Sequence, residues 1–115
     1  MSKYDSTLDL CFSALGDQTR RTILQRLARG QATVGELAEP HDMALPSFME
    51  HLKKLEAANL VTSTKQGRTR ICELSPNAFV PAKDWLQEQS LIWEGRLDRF
   101  DDYIETLMQE RKNDT

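Results

Sequence analysis

Leu8, Cys11, Phe12 and Leu15 recur at helical spacing near the start of the chain, which predicts a helix over residues 6–15 ended by Gly16. Asp17 then caps a second helix, with Arg20 on its first turn and Ile23, Leu24 and Leu27 on its buried face. Gly30 stops that helix. Thr33 followed by Glu36 is a capping box, so a short third helix starts at Val34, and Pro40 closes it. Pro46 suits the first turn of a fourth helix, where a missing N–H costs nothing. Phe48, Leu52, Leu55 and Ala58 form its core face, and Asn59 suits a left-handed C-cap. Leu60 to Lys65 and Thr69 to Leu74 give two short strands around Gln66-Gly67-Arg68. Pro76 suits the opening of a last helix over residues 76–110, with Pro81 delaying its regular start. From Trp93 on, its apolar positions are Trp93, Leu97, Phe100, Ile104 and Leu107, a heptad seam.

The order helix, helix, helix, helix, strand, strand, helix predicts a mainly α fold with a small β-hairpin wing. A short helix, a tight turn, a helix opened by proline and a basic hairpin are the parts of a winged helix-turn-helix. A helix carried in that way fits the major groove of DNA. At 115 residues the chain is expected to form a single winged-helix domain over 1–115, with 76–110 as a long dimerisation helix. Residues 8 to 61 can already close a small core, so the seam on the last helix is expected to meet a partner helix in a second subunit.

A net charge of −3 looks wrong for a DNA-binding protein, but the distribution answers the objection. From Ala44 to Cys72 five basic residues face two acidic ones, whereas from Pro76 to Thr115 five basic residues face nine acidic ones. The surplus lies where DNA would lie, and local field attracts phosphate. No apolar run approaches the roughly 18 residues of a membrane span, and the first ten residues lack a basic-then-apolar signal pattern. A cytoplasmic protein with no membrane partner is expected. Two cysteines, Cys11 and Cys72, are too few for a disulfide framework.

Leu15-Gly16-Asp17-Gln18-Thr19-Arg20-Arg21-Thr22-Ile23-Leu24 resembles the L-G-D-x-T-R-R-x-I-L opening of ArsR-type winged-helix repressors. Leu45-Pro46, then His51-Leu52-Lys53-Lys54-Leu55 and Ala58-Asn59-Leu60-Val61, resemble their recognition helix and its tail; Gly67-Arg68-Thr69-Arg70 resembles the wing. The likeness runs from about Leu10 to Met108. It implies a bacterial transcriptional regulator, usually a repressor, and a homodimer joined by its first and last helices. Leu8 and Phe12 would then share the dimer interface with Trp93, Leu97, Phe100, Ile104 and Leu107. Metal sensors of the family carry thiolate or imidazole ligands before the turn or on the last helix. Here Glu36-Leu37-Ala38-Glu39-Pro40 and the last helix contain neither cysteine nor histidine, so no metal and no cofactor are expected.

Double-stranded DNA is the expected partner. Ser47, Met49, Glu50, Lys53 and Lys54 can lie outward when Phe48, Leu52 and Leu55 point inward. Ser47 can bond a base or a phosphate, Met49 can touch a thymine methyl, and Lys53 and Lys54 suit phosphate. Glu50 stands where relatives often place a basic residue or glutamine. It could accept from cytosine N4 or weaken phosphate attraction, and both readings stand. His51 lies beside the buried stripe and divides between packing and phosphate contact. In the wing, Gly67 allows the turn, and Lys65, Arg68 and Arg70 direct charge at the DNA backbone or minor groove. Arg20 divides between a structural ion pair and a phosphate contact.

Trp85 and Trp93 suit packing better than a ligand pocket between last helices. Cys11 and Cys72 fall on elements expected to lie apart, which favours two inert thiols over a redox switch. His41 beside Asp42 suits turn chemistry. With two histidines, no nucleophile set and no phosphate loop, no catalytic residue is expected and the chain is not read as an enzyme. The competing class is a protein-interaction module on a winged-helix scaffold, which only the acidic Glu50 favours. No pattern names an effector, an operator or target genes. A dimer would set two recognition helices about 34 Å apart, suiting an inverted-repeat operator.

Overall fold

The Asp17 carboxylate accepts a hydrogen bond from the Arg20 amide at 3.1 Å and starts a helix at Gln18. The computed structural model describes residues 3–113, in the order α1 (Lys3–Leu15), α2 (Gln18–Leu27), β1 (Ala32–Thr33), α3 (Val34–Ala38), α4 (Leu45–Ala57), β2 (Val61–Gln66), β3 (Thr69–Leu74) and α5 (Val80–Asn113). The first helix begins three residues before its expected start. The Thr33 capping box forms in both directions: Thr33 Oγ1 accepts from the Glu36 amide, and Glu36 Oε1 accepts from the Thr33 amide.

Helix α4 presents Phe48, Leu52 and Leu55 to the core, each at most 1% exposed. It ends in a Schellman motif. Asn59 adopts φ 60°, the Leu60 amide reaches the Leu55 carbonyl, and the Asn59 amide reaches the Glu56 carbonyl. The buried Leu55 and Leu60 side chains complete it.

Strands β2 and β3 pair antiparallel and close on Gln66↔Thr69, leaving Gly67-Arg68 as a two-residue turn. Gly67, at the first central position with φ 63°, is the residue such a turn wants. A third strand, absent from the sequence reading, completes the sheet. Ala32 and Thr33 pair with Cys72 and Ile71, giving the order β1-β3-β2. This short ladder ties the entry of the helix-turn-helix to the base of the wing. Ile23, Leu24, Leu27, Leu37, Phe48, Leu52, Leu55, Leu60 and Cys72 belong to one buried cluster.

The last helix starts at Val80, not at residue 76. Residues 76–79 form a turn, and Asn77 sits at φ 58°, which no right-handed helix accommodates. Pro81 falls at the second helical position, where its missing N–H leaves no bond unmade. The chain divides into two units at Ala82 and Lys83. The second consists of the body of α5, with Trp93, Leu97, Phe100, Ile104 and Leu107 all exposed along it. Among the described residues no helix is long and apolar enough to cross a membrane.

Candidate nucleic-acid interface

Burying Phe48, Leu52 and Leu55 fixes which face of α4 is left over. On that face Ser47, Glu50, Lys53 and Lys54 are exposed and Met49 is half-buried. Lys53 Nζ stands 3.9 Å from Glu50 Oε1, and both side chains are about 70% exposed, so water screens the pair and leaves both groups available.

His51 sits differently. Its Nδ1 is 3.0 Å from Arg20 Nη1, and its side chain is 23% exposed. Arginine has no acceptor, so Nδ1 must accept; the ring proton is then on Nε2, which remains for any other partner. Arg20 itself is 7% exposed and spans three helices. Its Nε donates to the Ala14 carbonyl and its Nη2 to the Ser13 carbonyl, each at 2.9 Å. Both are carbonyls of the last turn of α1, where intrahelical partners run out, and that of Ser13 also accepts from the Gly16 amide at 3.2 Å. Arg20 is therefore a structural tie between α1, α2 and α4, held by carbonyls and an imidazole rather than by phosphate. Asp17 Oδ1 lies 3.7 Å from His51 Nδ1. The Arg20 amide above all, with the Arg20 guanidinium and the Thr19 amide, holds the Asp17 carboxyl below its ordinary value and outweighs the effect of burial.

The wing carries its cations in register. Lys65 is directly opposite Arg70, and Arg68 occupies the turn; all three are exposed. Arg70 Nη1 donates to Ser63 Oγ at 2.9 Å, and Ser63 Oγ donates to Glu56 Oε1 at 2.7 Å. This relay ties the wing to the last turn of α4. The sequence reading missed Ser63 and Glu56 as wing anchors. The signal was the hairpin register, which puts Ser63 diagonal to Arg70.

Cys11 and Cys72 are 2% and 0% exposed, both free, and both in the core cluster. Burial pushes both thiols up, and for Cys72 Glu56 adds to this against Arg70. Neither is poised as a nucleophile. Among the described residues no group of three or more His, Cys, Asp or Glu side chains is placed to hold a metal ion.

Residues 15–64, which run from the α1–α2 junction into the wing, match a family model described as a helix-turn-helix domain. The chain is 43% identical over 79 residues to the HTH-type transcriptional regulator Rv2034 of Mycobacterium tuberculosis, covering 69% of this chain and 73% of that one. A crystal structure of an ArsR family transcriptional regulator is 49% identical, covers 82% of this chain and 97% of its own, and superposes with a TM-score of 0.76. The chain belongs to the ArsR family.

It is also 31% identical over 75 residues to the transcriptional repressor SdpR of Bacillus subtilis, covering 65% of this chain and 83% of that protein. ArsR-family proteins are DNA-binding transcriptional regulators with a winged helix-turn-helix, not enzymes. In this member α3 and α4 are the helix-turn-helix pair, and β2–β3 is the wing.

Proposed function

We propose that this ArsR-family regulator is a sequence-specific repressor that binds an inverted-repeat operator as a homodimer. The observation that carries the reading is the fixed outward face of α4, with Ser47, Glu50, Lys53 and Lys54, beside a wing that opposes Lys65 to Arg70. Like charges directly opposed on a ladder cost stability, and a phosphate near them offsets that cost. On this reading Lys53, Lys54, Lys65, Arg68 and Arg70 contact phosphate or the minor groove. Ser47, Met49 and Glu50 face base edges, and His51 offers Nε2.

Dimerisation is supported by the second unit. A helix that exposes Trp93, Leu97, Phe100, Ile104 and Leu107 at heptad spacing has an apolar stripe suited to a second copy of itself. Leu8 and Phe12 of α1, both half-buried, join the same interface on this reading. Repression is supported by the likeness to SdpR. The acidic Glu50 favours the alternative, a protein-interaction module.

The test is the salt dependence of DNA binding. Arg68→Ala is expected to weaken binding about equally on all duplexes and to lower the slope of log affinity against log salt by about 1. An unchanged slope removes the wing from the interface.

A further inference from the structure

A cavity of about 420 Å³ opens between α2 and α3, on residues that the DNA-binding reading does not use. Buried Ile23 and Leu37, together with Pro40, give it an apolar lining. Thr22, Gln25, Arg26, Arg29, Glu36 and His41 supply the polar part of the lining, five of them neutral or basic and Glu36 acidic. Its size falls within the range of small-molecule sites, which pair apolar surface with polar groups that fix a ligand's orientation.

The two guanidiniums differ. Arg26 is partly engaged: Nη1 donates to the Gly30 carbonyl at 3.0 Å, and Nη2 stands 3.6 Å from Glu36 Oε2. Arg29 is exposed, and among the described residues its side chain has no hydrogen-bond or ion-pair partner. One anionic group could therefore bind Arg29 outright and compete with Glu36 for Arg26. Bidentate recognition by arginine suits carboxylate and phosphate alike, and the apolar surface of Ile23, Leu37 and Pro40 favours an organic carboxylate over inorganic phosphate.

Two features connect this cavity to the helix-turn-helix. Glu36 is the capping-box residue of α3, with Oε1 accepting from the Thr33 hydroxyl at 3.1 Å. His41 packs on Phe48 of α4, with ring centroids 5.7 Å apart. Anything that moves Glu36 or His41 acts on the start of α3 or on the recognition helix.

We infer that the α2–α3 cavity is an effector site for a small organic carboxylate, gripped by Arg29 and Arg26, that acts on the recognition helix through His41 and Phe48. The regulatory half of this inference rests on the DNA-binding reading; the ligand-binding half does not.

The experiment is a backbone-amide NMR titration of the full chain with benzoate, with its neutral analogue benzamide and with inorganic phosphate. Saturable benzoate shifts at Ile23, Arg26, Leu37 and His41, reaching Phe48, are expected. Benzamide is expected to give none, and phosphate only weak shifts near Arg29. Arg29→Gln, at an exposed position that leaves the core intact, should weaken benzoate at least fivefold. Unsaturable shifts, equal shifts with benzamide or an unaffected Arg29→Gln would overturn the site. Saturation without any shift at Phe48 would overturn the link to α4. The titration contains no DNA, so a failure to bind duplexes would sink the regulatory reading separately.

Discussion

Arg20 holds the helix-turn-helix to the scaffold with one side chain. Its three guanidinium bonds reach the Ala14 and Ser13 carbonyls and His51 Nδ1. A lysine carries one compact ammonium and cannot reproduce that fork. Arg20→Lys is therefore expected to lower stability by on the order of 2 kcal/mol, since buried carbonyls lose charged partners. A urea melt with an unshifted midpoint would refute this. Asp17 supplies a pH term. Its carboxyl is held below the ordinary value, so its contribution is complete above the unfolded pKa and is lost as pH falls through the folded one. Asp17→Asn keeps a cap but not the charge. Its stability deficit at neutral pH should shrink as the solution is acidified below the ordinary carboxylate range, and a deficit unchanged by acid would contradict it. The Asp17 cap was legible from local spacing. The Arg20–His51 contact was not, because it joins residues 31 positions apart and leaves no periodic trace.

Most elements announced themselves. The Thr33–Glu36 box, Pro46, Asn59 and Gly67 each stand where the backbone needs that residue, and each signal is local. Strand β1 escaped because two residues carry no alternation, and its partner Cys72 lies 40 positions away. The start of α5 was misplaced because Pro76 is an equally good opener of a turn, and Asn77 takes the left-handed region instead of a helical one. The seam of α5 was legible as heptad spacing, but what covers it was not. That face belongs, in our proposal, to a partner copy. Sedimentation should find the wild-type chain at twice its 13.2 kDa mass. Ile104→Lys, at a position exposed in the single chain, should shift it toward monomer. A variant with unchanged mass would place the interface elsewhere.

For the whole molecule, charge is partitioned rather than balanced. The basic surplus from Ala44 to Cys72 covers the recognition helix and wing, while the acidic excess falls on the last helix. With a net charge of −3 the molecule has little general attraction for DNA, so its affinity must come from local contacts and be strongly salt-dependent. The family was legible because three motifs occur in the right order along one chain. Individual DNA contacts belong to a complex, and no single chain spells them out. The central claim is a sequence-specific dimer on symmetric DNA, and selection from random duplexes at moderate salt tests it most directly. Enrichment of an inverted repeat with half-site centres about one helical turn apart is the expected result. Retention of duplexes without an enriched motif, or no retention even at low salt, would contradict it.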